Sequence, residues 1–357
     1  MEGSFLISVP RALAFLYREG KVGHWVDIRT TSDAILALTA SGESIRSPHI
    51  QYAGDFLVAN FRRERQGGSW GSELWDTALA IRALNRIPPK GQDLVEQGFE
   101  WIFAKQQPDG SFDGEPWDSL FVCLAALETG RSERVRSTIE WLISLQSPNG
   151  VVISSHYSGL FCQVLGEALH LTLPSSLRHT LHEAGIRALQ CLWEEYDPDS
   201  LWGEGTWTNG YVVQGMLALR HPQVLAKFDD ILRWYAKRQA PNGAWDDTVR
   251  TAIALQALLQ IGIAYELETC NQKPLRMLTQ EFVVRSTEDQ LFRAIGARTQ
   301  KAPVVLAKKL IDKDESGNLT ITLTREREVY LAIALSTLGV IWAIVLNWGF
   351  LRRFFFR

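Results

Sequence analysis

Gln239-Ala240-Pro241-Asn242-Gly243-Ala244-Trp245 (QAPNGAW) is the stretch on which the fold turns, because reduced forms of it recur along the chain. Gln106 to Phe112 reads QQPDGSF, with Phe in the place of Trp. The core of the pattern is Gly-x-aromatic. It stands at Gly23-His24-Trp25, Gly68-Ser69-Trp70, Gly110-Ser111-Phe112, Gly205-Thr206-Trp207 and Gly243-Ala244-Trp245, and Gly150-Val151-Val152 keeps the place without the aromatic. Successive glycines lie 45, 42, 40, 55 and 38 residues apart. A helix pair with two turns needs about that length.

An amphipathic segment precedes each punctuation and an apolar one follows it. In the stretch Ser132 to Gln146, Val135, Ile139, Leu142 and Ile143 fall at helical spacing, with charged residues elsewhere around the wheel. Leu120 to Leu127 (LFVCLAAL) is apolar all round. A helix with one polar face borders water, whereas a helix apolar on every face must be surrounded by protein. Six apolar members lie near 31–41, 76–86, 118–128, 158–171, 208–220 and 248–264. The prediction is an all-α chain whose residues 8–265 form an α/α toroid, six inner helices ringed by six outer ones. An open solenoid would bury the same faces, and six pairs favour closure.

Composition narrows the function. Of 357 residues 46% are hydrophobic, which excludes a disordered chain. A net charge of −3 gives no support for a nucleic-acid partner. Cys123, Cys162, Cys191 and Cys270 are far apart and form no CxxC pair, so they read as reduced thiols. His156 and His170 flank Cys162 without a ligand spacing. No metal and no cofactor are expected.

The motif Gln-x-x-x-Gly-x-Trp and the run Trp75 to Leu84 (WDTALAIRAL) resemble the terpenoid cyclase and protein prenyltransferase superfamily, in particular the squalene-hopene-cyclase-like toroids. Gln146 to Gly150 keeps half of the motif, and Glu64 replaces Gln before Gly68 and Trp70. The resemblance covers about residues 8–265 and implies an α/α toroid. It implies activity more weakly. The family's proton-donating Asp-x-Asp-Asp has its nearest match at Ala244-Trp245-Asp246-Asp247-Thr248, with Ala244 for the first Asp. Asp246 is therefore the candidate general acid, with Asp247 beside it. Helix capping is the other role for both. The cyclases normally use a second barrel, for which this chain has no room.

The inner helices begin alike, at Trp75-Asp76-Thr77, Trp117-Asp118-Ser119 and Trp207-Thr208-Asn209. Trp75, Asp76, Trp117, Asp118 and Trp207 are candidates for a pocket mouth. Trp25, Trp70 and Trp245 read as turn packers. Five residues past the cap-region Thr, Ser or Asn stand Arg82, Gln163, Gln214 and Gln256. Polar residues at one depth of apolar helices could line an axial cavity or bond locally between helices.

Beyond the repeat the composition shifts. Residues 266–328 read as a small linker or protein-interaction module, with a helix over 290–298 and a strand at Leu319 to Leu323 after a Ser316-Gly317-Asn318 turn. Val329 to Phe350 carries no charge and is long enough for a transmembrane helix. The sequence thus predicts a single-pass membrane protein with most of the chain cytosolic. Its toroid would bind an isoprenoid-like lipid or a partner and act as a sensor or effector at the membrane. The alternative is a lipid-modifying terpene cyclase or prenyltransferase-like enzyme with Asp246 as acid.

Overall fold

A helix whose every face is apolar has to be enclosed, and the chain achieves this by turning six such helices inward. The computed structural model describes residues 7–20, 24–171, 175–203, 205–220, 222–270, 311–313 and 319–321. The chain divides into two units, Met1–Thr287 and Glu288–Arg357. In the first, outer and inner helices alternate: α1 (Val9–Glu19) and α2 (Ile28–Ala40), α3 (Pro48–Ala59) and α4 (Leu74–Asn85), α5 (Gln92–Phe103) and α6 (Pro116–Glu128). There follow α7 (Arg136–Ser144) and α8 (Ser155–Leu169), α9 (Ser175–Glu194) and α10 (Thr206–Ala218), the short α11 (Pro222–Ala226), then α12 (Phe228–Arg238) and α13 (Thr248–Cys270). The inner helices pack in sequence, α2 on α4, α4 on α6, α6 on α8, α8 on α10 and α10 on α13, and α13 returns to α2. The ring is closed, as the count of six pairs predicted. Most inner helices begin two or three residues before the expected points, because the turn residues already accept the first helical hydrogen bonds.

The turn explains the motif. Trp25, Trp70 and Trp245 are buried. Each indole Nε1 donates to a carbonyl in the last turns of the preceding outer helix: Leu16 at 2.9 Å, Leu57 at 2.7 Å and Tyr235 at 2.8 Å. These carbonyls lie in the region where a helix runs out of partners. The backbone N–H of the same residue donates to a side chain in the first turns of the inner helix. Trp25 reaches Thr31, Trp70 reaches Thr77, Phe112 and Val152 reach Ser119 and Ser158, and Trp245 reaches Thr251. One residue therefore fastens two helices.

The fifth repeat differs from the sequence reading. Trp202, not Trp207, holds the turn position: its Nε1 donates to the Leu192 carbonyl at 2.7 Å and its N–H to Asn209 Oδ1 at 3.0 Å. Ser200 stands where the other repeats have glycine. Asp197 shapes this turn by accepting from the N–H groups of Asp199 and Ser200. Trp207 lies inside α10.

The motif glutamines tie each repeat to the next outer helix. Gln106 Nε2 donates to the Gly110 carbonyl and to Thr138 on α7, and Gln146 Nε2 to the carbonyls of Gly150 and of Ala184 on α9. Gln239 closes the ring. Its Nε2 donates to Gly243 and Ser8 carbonyls at 3.0 and 2.9 Å, and its Oε1 accepts from Ser8 N–H, just before α1. Glu64 substitutes by accepting from Trp101 Nε1 on α5. Gly243, at φ +94°, faces the Arg11 carbonyl so closely that a Cβ would overlap it. Position and conformation both demand glycine there.

The second unit contains a hairpin ladder, Ile311–Lys313 antiparallel to Leu319–Ile321. Leu319–Ile321 falls within the strand expected over Leu319 to Leu323. The predicted helix over 290–298 and the apolar stretch over 329–350 lie outside the described residues. The expected membrane localisation is corrected: no helix among the described residues is long and apolar enough to cross a membrane. The enclosed helices α4, α6, α8 and α10 have 12, 13, 15 and 13 residues, below the ~20 that a span requires, and are covered by protein instead.

Candidate functional site on the toroid axis

Residues four and seven apart share one face of a helix. On α2 the face carries Arg29, Asp33 and Leu36; on α4, Trp75, Leu79 and Arg82; on α6, Trp117, Phe121 and Leu124. On α8 it carries His156, Leu160 and Gln163, on α10 Trp207, Tyr211 and Gln214, and on α13 Val249, Ile253 and Gln256. Ring contacts show that these faces look toward the axis. Trp117 and Phe121 on α6 meet Tyr211 on α10, at 6.1 and 6.3 Å between centroids, past the intervening α8. Trp117 also lies edge-on to Trp207 at 5.8 Å and to Tyr157 at 5.4 Å. Trp75 reaches Phe121 at 6.2 Å and carries the Arg29 guanidinium over its face at 4.6 Å. The end of the axis where the inner helices start is therefore aromatic.

Just inside lies Asp33, 4% exposed. Its Oδ2 is buried without a hydrogen-bond partner. Burial pushes the carboxyl up to about 7, against the pull of the Arg29 and Arg82 charges. Arg82 is held by the neighbouring inner helix, its Nη2 donating to Glu128 Oε1 on α6 at 2.7 Å. Asp76 and Asp118 stand in the first turns of α4 and α6. Both are pushed up to about 6, Asp76 by burial and then by Asp27, Asp118 by burial against the hydrogen bond from Trp75 N–H. That bond, 2.9 Å to Asp118 Oδ1, means that Asp118 caps the neighbouring helix, not its own.

Of the other polar candidates, Gln163 and Gln214 bond between inner helices and Gln256 within its own. Gln163 Nε2 donates to the Tyr211 carbonyl at 3.3 Å, Gln214 Oε1 accepts from Gln260 Nε2 at 3.4 Å, and Gln256 Nε2 donates to the Ala252 carbonyl one turn back. Asp246 and Asp247 are exposed at the start of α13. Asp246 Oδ2 accepts from Thr206 Oγ on α10 at 2.9 Å, and Asp247 caps α13 by accepting from Arg250 N–H at 2.8 Å. Arg29, Asp33, Phe121 and Tyr211 were not singled out by the sequence, and His156 was weighed only as a metal ligand. The signal was available: each lies four residues before or after a candidate of the same face, or at the equivalent step of another repeat.

The raised carboxyls set a pH dependence. Between about pH 4 and pH 7 the folded chain holds protons at Asp33, Asp76 and Asp118 that the unfolded chain releases. Their stabilisation is complete below the unfolded pKa and is lost as pH rises through the folded one. For the fully buried Asp33 the shift corresponds to about 4 kcal/mol. Thermal melts from pH 4 to pH 8 should therefore fall less steeply for Asp33→Asn than for the natural chain. Parallel curves would show that Asp33 ionises freely.

No family model matches the sequence, and no curated protein does. Solved structures are similar in fold. The type II terpene cyclase MstE from Scytonema, in its apo form, superposes with a TM-score of 0.56 at 14% identity, over 71% of this chain and 97% of that one. A variant of the same cyclase in complex with geranylgeranyl dihydroxybenzoate (substrate) gives 0.55 at 14% identity, over 71% and 96%. A protein from Actinoplanes gives 0.55 at 17% identity, over 71% and 98%. The chain has a terpenoid-cyclase-like toroid fold. The match spans nearly all of the MstE chain.

Proposed function

We propose that the toroid takes the apolar chain of an isoprenoid along its axis and that Asp33 donates the proton that starts its cyclisation. The observation that carries this reading is the buried, unpartnered Asp33 Oδ2 beneath a mouth of Trp75, Trp117, Phe121 and Tyr211. A carboxyl that stays protonated near neutral pH has a proton to give. The Asp33 O–H bond breaks as a C–H bond forms at a terminal alkene carbon or, for an epoxide, as an O–H bond forms at the ring oxygen and its C–O bond opens. Arg29 and Arg82 stabilise the carboxylate left behind, and the aromatic faces favour the positive charge on the chain. Loss of a proton from the cyclised cation to Asp33 restores the acid, so the net reaction is an isomerisation. Asp246 is open to water and lacks the buried surroundings of Asp33.

A second reading is a toroid that holds an isoprenoid without turning it over. Ala244, in the place of the first Asp of the family's proton-donating motif, favours it. The test is to incubate the protein with geranylgeranyl compounds ending in an alkene or epoxide and to follow bound ligand and product by mass spectrometry. Turnover is expected, and Asp33→Asn should lower it about 10²–10⁴-fold while ligand stays bound. Binding without any product would establish the second reading. Collapse in Asp246→Asn but not in Asp33→Asn would move the acid to α13. No binding of any isoprenoid would end both readings.

A further inference from the structure

We infer that Glu128 and Trp75 are positioning residues that hold the two arginines beside Asp33 off its carboxyl, so that the proposed acid keeps the proton it has to give. The inference rests on the proposal that Asp33 is the acid, and adds what governs its protonation.

Two guanidinium groups act on Asp33, Arg29 from one turn earlier on α2 and Arg82 from α4, the helix packed on α2. In a dry site a guanidinium and a carboxyl readily join as a bidentate ion pair. A carboxyl paired in that way is an anion at neutral pH and has no proton to donate. Neither arginine makes the pair here, because Asp33 Oδ2 is buried without a donor. Arg82 reaches to α6 instead, where its Nε and Nη2 both donate to Glu128 Oε1, at 3.2 and 2.7 Å. Arg86 steadies Glu128 by donating from Nη2 to its second oxygen at 3.4 Å. Arg29 lies over the face of Trp75, 4.6 Å from the ring centroid. Each cation thus has a partner other than the acid, one a carboxylate and the other a ring.

Among the described residues, the rest of the surroundings bring no further cation to Asp33. Asp27 and Asp76 repel its anion, and the Tyr211 phenol of α10, itself pushed up by burial, stays neutral. On α3, His49 packs on Tyr17 of α1 and Asp55 pairs with Lys90, just before α5. On α13, Arg250 pairs with Asp247 at the helix start. Glu128 offsets the Arg82 charge, and burial of Asp33 then outweighs the remaining pull of the arginines. Once the proton has left, both guanidinium groups are still within electrostatic reach of the new carboxylate.

The experiment follows the Asp33 carboxyl by carbon-13 NMR of aspartate-labelled protein from about pH 4 to pH 9, with Asp33→Asn identifying its signal. The natural chain should titrate at about 7. Glu128→Gln keeps the size of the side chain and frees the Arg82 charge, so the midpoint should fall by about one to three pH units. Adding Arg82→Gln removes the freed charge and should restore it. Trp75→Leu gives a second pair that leaves the buried ion pair intact: it should lower the midpoint through Arg29, and adding Arg29→Gln should restore it. Turnover of a geranylgeranyl epoxide at pH 7 should drop about tenfold or more in Glu128→Gln and recover in acid, because each pH unit below the working pH leaves about a tenth of the acid protonated. A midpoint that a single variant leaves in place or raises, or that its double variant fails to restore, overturns the role of that residue, since a merely structural part would not track the arginine's charge. Midpoints that move as expected in a chain that turns over no isoprenoid keep the inference about Asp33 and end the cyclase proposal instead.

Discussion

Trp245→Ala is expected to destabilise the toroid by about 4–5 kcal/mol. Trp245 is fully buried, and its ring lies edge-on to Tyr235 at 5.8 Å. Removing a buried aromatic to Ala costs about 3–5 kcal/mol through lost transfer energy and the cavity left behind. The indole hydrogen bond to the Tyr235 carbonyl adds about 1 kcal/mol, tempered because Gln239 N–H also reaches that carbonyl. In a domain of this size such a loss lowers the melting temperature by roughly 8–20 °C. Trp245→Phe should cost far less, because Phe112 fills the equivalent place in the third repeat and is itself fully buried. Calorimetry or denaturant unfolding checks both. A Trp245→Ala variant within about 1 kcal/mol of the natural chain would mean that the turn is not a structural fastener.

Glu128→Ala should cost a similar amount, about 3–5 kcal/mol, for a different reason. The side chains of Arg82 and Glu128 are each 12% exposed, and Arg86 adds a second contact to Glu128 at 3.4 Å. Burial alone would raise the Glu128 carboxyl, but the Arg82 charge and hydrogen bond and the Arg86 charge hold it below the ordinary carboxylate range. Deleting the carboxylate leaves Arg82 buried and uncompensated on the inner ring. Replacing both partners, Arg82→Met with Glu128→Leu, should recover most of the stability, because no lone charge remains. If the double variant is as unstable as Glu128→Ala, packing and not charge carries the effect. Denaturant midpoints at one pH decide between these outcomes.

The sequence by itself determined the repeat, the number of helix pairs and their alternation of exposed and enclosed members. These are written in local chemistry. A glycine at positive φ, an aromatic two residues later and a hydroxyl or amide six or seven residues beyond it specify a turn between two helices. The amphipathic pattern then says which helix borders water. The fifth turn escaped because Ser200 stands where glycine is usual, while Gly205 and Trp207 mimic the pattern a few residues late.

Tertiary structure alone decided which face of each inner helix looks to the axis. A helix that is apolar on all sides carries no amphipathic signal to orient it, so its polar residues cannot be assigned to cavity or contact until the neighbours are in place. Arg82, Gln163 and Gln214 look equivalent in the sequence. In the ring one pairs with Glu128, one bonds to a backbone carbonyl of α10 and one to a side chain of α13. Asp33 has no motif around it. It becomes distinctive only because closure of α13 on α2 buries it, with one oxygen unpartnered, beside groups 150 or more residues away in the chain, such as Tyr211. Desolvation is a property of the assembled surroundings, so the repeat could mark Asp33's step on the inner helix but not its burial without a partner.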